Sequence, residues 1–302
     1  MTSTEIVSSL RREVAAFGAR FDLEVLAGTQ ALYRPHIAPL RAARLLDQAY
    51  GPHPRHRLDA YLPAGPAQGV VVCVHGGGFV GGDKNLDGVF YANVGQFFAD
   101  AGFAAVLPNY RRAREAAWPA GAQDVQAVLH WAHAHMTQFS TAPLPVFVIG
   151  QSAGASHVAS WFFDAAARGG PRATVDGVLL MSGFYRASTP LAENIAAYFG
   201  DDERLYPERS PIAHAQRDDT PLWLSVAEFD PGRIAAHSFE LAERLARCNG
   251  RSPSFAWLEG HNHVSTMLSL ASPQTDAGER ILSFLRRCCF ARASTASPPT
   301  SP

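Results

Sequence analysis

Gly150-Gln151-Ser152-Ala153-Gly154 follows the apolar run 145–149 and precedes a small-residue stretch of helical composition. A serine on a sharp turn between strand and helix projects its hydroxyl above the sheet, where it can act as a nucleophile. Glycines two positions before and after it remove side chains that would collide in that turn. The five-residue pattern alone is common in glycine-rich chains, so its strand-to-helix context carries the reading. The plain alternative is a glycine-rich turn with an incidental serine. A serine hydroxyl is a weak nucleophile at neutral pH and needs a base within hydrogen-bond reach, itself oriented by a carboxylate. In an open α/β sheet such partners come from loops at the C-terminal ends of later strands. Two loops qualify: Glu228-Phe229-Asp230-Pro231 after the apolar run 221–227, and Gly260-His261-Asn262-His263 after the run 254–259. Ser152, Asp230 and His263 stand in the chain order that such a sheet uses.

Each partner has a competitor. Asp230 before Pro231 also fits a helix N-cap with proline at the first helical position, a role that leaves one carboxylate oxygen for a histidine. Glu228 is the alternative acid, although a residue nearer the strand's end has less freedom to reach a neighbouring loop. His261 and His263 are both candidate bases. As a metal pair they lack a carboxylate or cysteine at ligand spacing, so no metal site is expected. His130, His133 and His135 avoid the apolar face of their helix and read as solvated.

His75-Gly76-Gly77-Gly78 closes the apolar run 70–74. Acyl transfer builds negative charge on a carbonyl oxygen, and preorganised backbone N–H groups stabilise it. Gly77 and Gly78, with the N–H of Ala153 after the nucleophile, are the candidate donors. A phosphate cradle is the competing reading, but no G-x-x-x-x-G-K-[ST] follows, and His75 stands where a dinucleotide fingerprint has glycine.

These groups need strands to hold them. Runs at 58–63, 70–74, 103–108, 145–149, 176–182, 221–227 and 254–259 read as strands. Helical periodicity runs through the first twenty residues and through 123–136, follows Ser152, and recurs at Ile234, Leu241, Leu245 and Cys248, and at Ile281, Phe284, Leu285 and Cys288. Short continuous apolar strands alternating with helices imply an α/β fold, its sheet mostly parallel and covered on both faces. Residues 186–217 are too long for an ordinary connection and are expected to form a lid or cap. Residues 1–290 are expected to form one domain, with a cap built from 1–50 and 186–217. The low-complexity 291–302 is expected to be disordered.

Composition excludes several classes. At 302 residues, 47% hydrophobic and 18% charged, the chain suits a sizeable core. Its net charge of −1 marks no nucleic-acid face. Four cysteines, Cys73, Cys248, Cys288 and Cys289, are too few for a disulfide scaffold and read as reduced thiols. No apolar run reaches the ~20 residues needed to span a bilayer. The first residues lack the order of a signal peptide. A cytoplasmic location follows as the expectation, with no membrane partner.

From about residue 45 to 290 the chain resembles the α/β-hydrolase superfamily, and within it the esterases and lipases carrying an H-G-G-G oxyanion motif. The resemblance rests on the runs at 56–63, 74–84, 107–113, 150–154, 210–214, 227–231 and 260–265. It is nearest to small carboxylesterases and kynurenine-formamidase-like enzymes, where the histidine of an N-H-V/F run is the base. Here that run is Asn262-His263-Val264. The resemblance implies two-step acyl-enzyme hydrolysis by Ser152, His263 and Asp230, with no metal and no organic cofactor. Asp230-Pro231-Gly232 departs from the family in lacking the leucine and second acid often found after its aspartate. A small ester is the expected substrate, and an N-formyl aromatic amine is the alternative. Trp118, Phe79, Tyr185 and Tyr198 read equally as aromatic substrate walls or as core. An inactive binding module of the same fold is a third reading, which the intact nucleophile, base and glycines oppose.

Overall fold

Val70, Val72 and Val74 contribute to one apolar layer, while Val71 and Cys73, one residue out of phase, contribute to another. A strand whose alternate side chains both meet hydrophobic layers must lie inside a sheet covered on two faces. A computed structural model describes residues 2–296. They build an eight-stranded sheet from β1 (Ala43–Ala49), β2 (Arg57–Leu62), β3 (Val70–Val74), β4 (Ala104–Pro108), β5 (Val146–Gln151), β6 (Gly177–Met181), β7 (Leu222–Phe229) and β8 (Ser254–Asn262). The strand order is β1-β2-β4-β3-β5-β6-β7-β8. β2 pairs antiparallel with both β1 and β4, and every other pairing is parallel.

The helices, in chain order, are α1 (Ser3–Ala16), α2 (Leu23–Tyr33), α3 (Ala92–Asp100), α4 (Ala120–Ala134), α5 (Ala153–Phe163), α6 (Ala165–Arg168), α7 (Glu193–Phe199), α8 (Tyr206–Arg209), α9 (Gly232–Asn249), α10 (Ser265–Leu268) and α11 (Asp276–Ala296). Side chains of α4, α5 and α9 pack on the face that carries Val72 and Leu180. Those of α3 and α11 pack on the face that carries Val71 and Leu179. Each fully buried valine or leucine contributes about 1.5–3 kcal/mol over leaving it exposed. The apolar sheet interior is therefore what holds the strand ends in place.

α2, β1 and α3 have no counterpart among the sequence-derived elements. α2 has little amphipathic contrast, α3 carries Gly95 against the Tyr61 ring, and β1 is a largely exposed edge strand with a register shift between Leu45 and Gln48. All three depend on tertiary neighbours for stability. The irregular segment 186–217 in fact holds α7, α8 and short 3₁₀ turns at Glu203–Leu205 and Pro211–His214. The expected disorder over 291–302 is corrected in its first half, because α11 runs through Ala296; residues 297–302 lie outside the described residues. Cys73, Cys248, Cys288 and Cys289 are free thiols. Among the described residues no helix is long and apolar enough to cross a membrane.

Candidate active site

β5 ends at Gln151 and α5 begins at Ala153, so Ser152 alone makes the turn, at φ 55° and ψ −124°. A non-glycine residue reaches that conformation only where its surroundings over-determine it. Here the flanking glycines are required sterically. A Cβ on Gly150 would lie 2.5 Å from the Gly154 carbonyl oxygen, and one on Gly154 would lie 2.2 Å from that of Val74.

Adjacent strands bring the partners. Asp230 follows the end of β7, and His263 follows the end of β8. Ser152 Oγ lies 2.8 Å from His263 Nε2, and His263 Nδ1 lies 2.7 Å from Asp230 Oδ1. Asp230 and His263 are buried. The second carboxylate oxygen, Oδ2, accepts the Ser182 hydroxyl at 2.6 Å and the Ala227 N–H at 2.7 Å. An ionised carboxylate survives burial when its lone pairs are filled in this way. Those bonds correct the N-cap reading: the N-cap of α9 is Pro231, and the carboxylate caps nothing. Glu228 instead accepts the Gly260 N–H at 2.7 Å, and His261 pairs through Nε2 with Asp276 at 3.1 Å while Nδ1 faces the Ser265 hydroxyl at 3.0 Å. Neither competitor meets Ser152, and the H-x-H pair does not converge.

The glycine loop lies against the serine. A Cβ on Gly76 would approach Ser152 Cβ to 3.2 Å, and one on Gly77 (φ 143°) would lie 2.3 Å from the Gly81 carbonyl oxygen. Gly81 donates its N–H to the Gly77 carbonyl at 2.8 Å, and Asn194 Nδ2 donates to the Gly78 carbonyl at 3.0 Å. Gly76 gives its own N–H to Tyr91 Oη. Among the described residues none accepts a hydrogen bond from the N–H of Gly77, Gly78 or Ala153. His75 supports the loop from beneath. Burial pushes its pKa down to about 4, and its ring faces the Gly76 carbonyl at 2.6 Å.

A cavity of ≈ 200 Å³ opens beside Ser152 and His263, with Phe21, Leu26, Leu86, Phe90, Met267 and Leu268 in its wall. Phe21 sets its ring 4.7 Å from that of His263. The aromatic residues singled out in the sequence lie elsewhere: Phe79 stacks on Tyr198 at 4.5 Å, and Tyr185 is core. Trp118 packs beneath the Arg209 guanidinium. A larger cavity of ≈ 330 Å³ includes Leu222 and Ser254, at the starts of β7 and β8, and holds none of the groups above. Ser182, Tyr91 and Phe21 escape sequence reasoning. Ser182 ends a recognisable strand, but nothing in its neighbours announces a bond to residue 230.

The family model BD-FAE matches residues 58–163. Esterase LipQ of Mycobacterium tuberculosis is 25% identical over 310 residues, covering 88% of this chain and 70% of that protein. Esterase LipI of the same organism is 30% identical over 183 residues, covering 54% of this chain and 56% of its own length. Among solved structures, Lactobacillus rhamnosis esterase B inhibited by a tributyrin phosphonate superposes with TM-score 0.75 at 18% identity, over 98% of this chain and 99% of that one.

Proposed function

An α/β-hydrolase by fold, the chain is, we propose, a serine hydrolase that cleaves a small carboxylic ester through an acyl-enzyme. One observation carries the reading: an unbroken hydrogen-bonded line Ser152–His263–Asp230 opening on an apolar cavity. The esterase relatives LipQ and LipI support it. Ser152 attacks the ester carbonyl while His263 Nε2 takes its proton; general-base help of this kind is worth about 10²–10⁴-fold. Asp230 holds Nδ1–H and stabilises the imidazolium. The N–H groups of Gly77, Gly78 and Ala153 receive the oxyanion, each donor contributing about 10²–10³-fold. His263 then returns the proton to the leaving alcohol, and water enters by the same route to release the acid. The chemistry needs no metal or organic cofactor. Residues 186–217, over the glycine loop, and the N-terminal segment, at the cavity wall, serve as the cap.

Ser152→Ala is expected to lose nearly all hydrolysis of p-nitrophenyl acetate. His263→Ala follows it, while His261→Ala keeps far more turnover per folded molecule. Undiminished turnover in Ser152→Ala overturns the mechanism. Faster turnover of N-formylkynurenine than of any acyl ester replaces the ester by a formamide.

A further inference from the structure

The three parts of this machinery sit on loops far apart in the chain: the glycine loop after β3, the serine turn after β5 and the histidine loop after β8. One chain of hydrogen bonds, buried at Gly76, Gln151 and His263 and half-buried at Tyr91, joins all three. Gly76 donates its N–H to Tyr91 Oη at 2.8 Å. Tyr91 donates its hydroxyl to Gln151 Oε1 at 3.4 Å, and Gln151 Nε2 donates to the backbone carbonyl of His263 at 2.7 Å. We propose that Tyr91 and Gln151 are positioning residues, a polar strut that sets the oxyanion donors and the histidine in register with Ser152. The proposal rests on the serine-hydrolase reading above.

Several features single this strut out from ordinary core polarity. Gln151 occupies the variable position of the G-x-S-x-G pattern and is buried, so its amide is not there for solubility. An amide accepts from a hydroxyl on one side and donates to a carbonyl on the other, whereas an ionised carboxylate or a hydrocarbon of similar length fails one end or both. Tyr91 adopts φ 63° and ψ −33° before α3, a conformation that costs a non-glycine residue free energy and that aims its ring under the glycine loop. Burial holds the Tyr91 hydroxyl up at about 12, so it stays protonated and can donate. Gly76 lacks the Cβ that would stand 2.5 Å from Gln151 Oε1, which leaves room for the amide to reach the tyrosine. Because Tyr91 takes the Gly76 N–H, that donor is withdrawn from the substrate side, and the next two N–H groups of the loop are left without partners.

The test measures kcat and KM for p-nitrophenyl acetate in Tyr91→Phe, Gln151→Met and the double variant. Active sites are counted by stoichiometric release from a p-nitrophenyl alkylphosphonate, and folding is checked by thermal melting. Misplacing catalytic groups by about 1 Å costs on the order of 10²-fold, and each single variant is expected to shift them by less. Each is therefore expected to lower kcat per titrated serine about ten-fold, with KM held within about two-fold. The double variant is expected to match the worse single variant, because both break the same strut. Tyr91→Phe removes one oxygen atom and carries the test alone if Gln151→Met does not fold. The proposal is overturned by singles whose kcat per serine stays within two-fold of the parent. It is equally overturned by losses that multiply in the double variant, or by losses that appear only as fewer titratable sites. Ser152→Ala in the same assay separates the outcomes: if it retains turnover, the serine-hydrolase reading fails; if it is dead while the strut variants are normal, only the strut fails.

Discussion

Replacing Asp230 by asparagine preserves the shape of the site and inverts one hydrogen bond. The Ser182 hydroxyl at 2.6 Å and the Ala227 N–H at 2.7 Å both donate to Oδ2, so an asparagine must keep its carbonyl oxygen on that side. Its NH₂ then faces His263 Nδ1 across the 2.7 Å gap now filled by Oδ1. The imidazole must take the tautomer with Nδ1 bare and Nε2 protonated, which points N–H at Ser152 and leaves the hydroxyl without a base. Loss of the correct tautomer in a Ser-His-Asp site costs about 10⁴-fold in kcat, equivalent to about 5.4 kcal/mol of transition-state stabilisation. The assay is steady-state hydrolysis of p-nitrophenyl acetate per phosphonate-titrated site, run beside Glu228→Gln. That second variant keeps an acceptor for the Gly260 N–H and is expected to fall only a few-fold. Asp230→Asn retaining more than about a tenth of parental kcat, or falling no further than Glu228→Gln, refutes the assignment of the acid.

Burial holds the His75 pKa at about 4 and the His157 pKa at about 3, so both rings stay neutral in the folded protein where the unfolded chain, near 6.5, already binds protons. Stability is therefore expected to fall as pH drops from about 6.5 toward 4, by roughly a few kcal/mol, as a declining melting temperature; His157→Gln flattens that slope, and an unchanged slope contradicts the assignment. Leu26→Trp places a larger ring in the wall of the ≈ 200 Å³ cavity. Across p-nitrophenyl esters of increasing acyl length, kcat/KM is expected to fall at a shorter chain than in the parent, while the acetate rate changes little; an unchanged length profile removes α2 from substrate recognition.

Much of the candidate site's geometry is legible in residue types because its requirements are local. Gly150 and Gly154 are dictated by a turn in which any Cβ strikes backbone within five residues or on the next strand. The strands β3, β5 and β6 are legible because an interior parallel strand must be apolar on both faces. The boundary of β8 is not: it runs three residues beyond the apolar signal, through Gly260-His261-Asn262, because pairing with β7 resumes at Phe229 and Asn262 past a register shift. The assignment of Asp230 over Glu228 rests in the sequence on reach, and there an N-cap role fits Asp230 as well. Its failure is a matter of where β7 ends: Asp230 turns back to the Ala227 N–H, and the helix starts after Pro231.

Left to itself, the sequence determines the alternation of buried strands and helices, the serine turn, the glycine loop and the two loops able to supply base and acid. Each of those is specified by neighbours within a few positions, where steric exclusion and hydrophobic periodicity act. Tertiary structure alone decides which histidine meets Ser152, that Ser182 anchors the carboxylate, that Tyr91 and Gln151 tie three loops together, and that Phe21, between α1 and α2, and Leu26 of α2 wall the cavity. Those contacts join residues tens to hundreds of positions apart, and they exist only once the sheet has set its strand ends side by side.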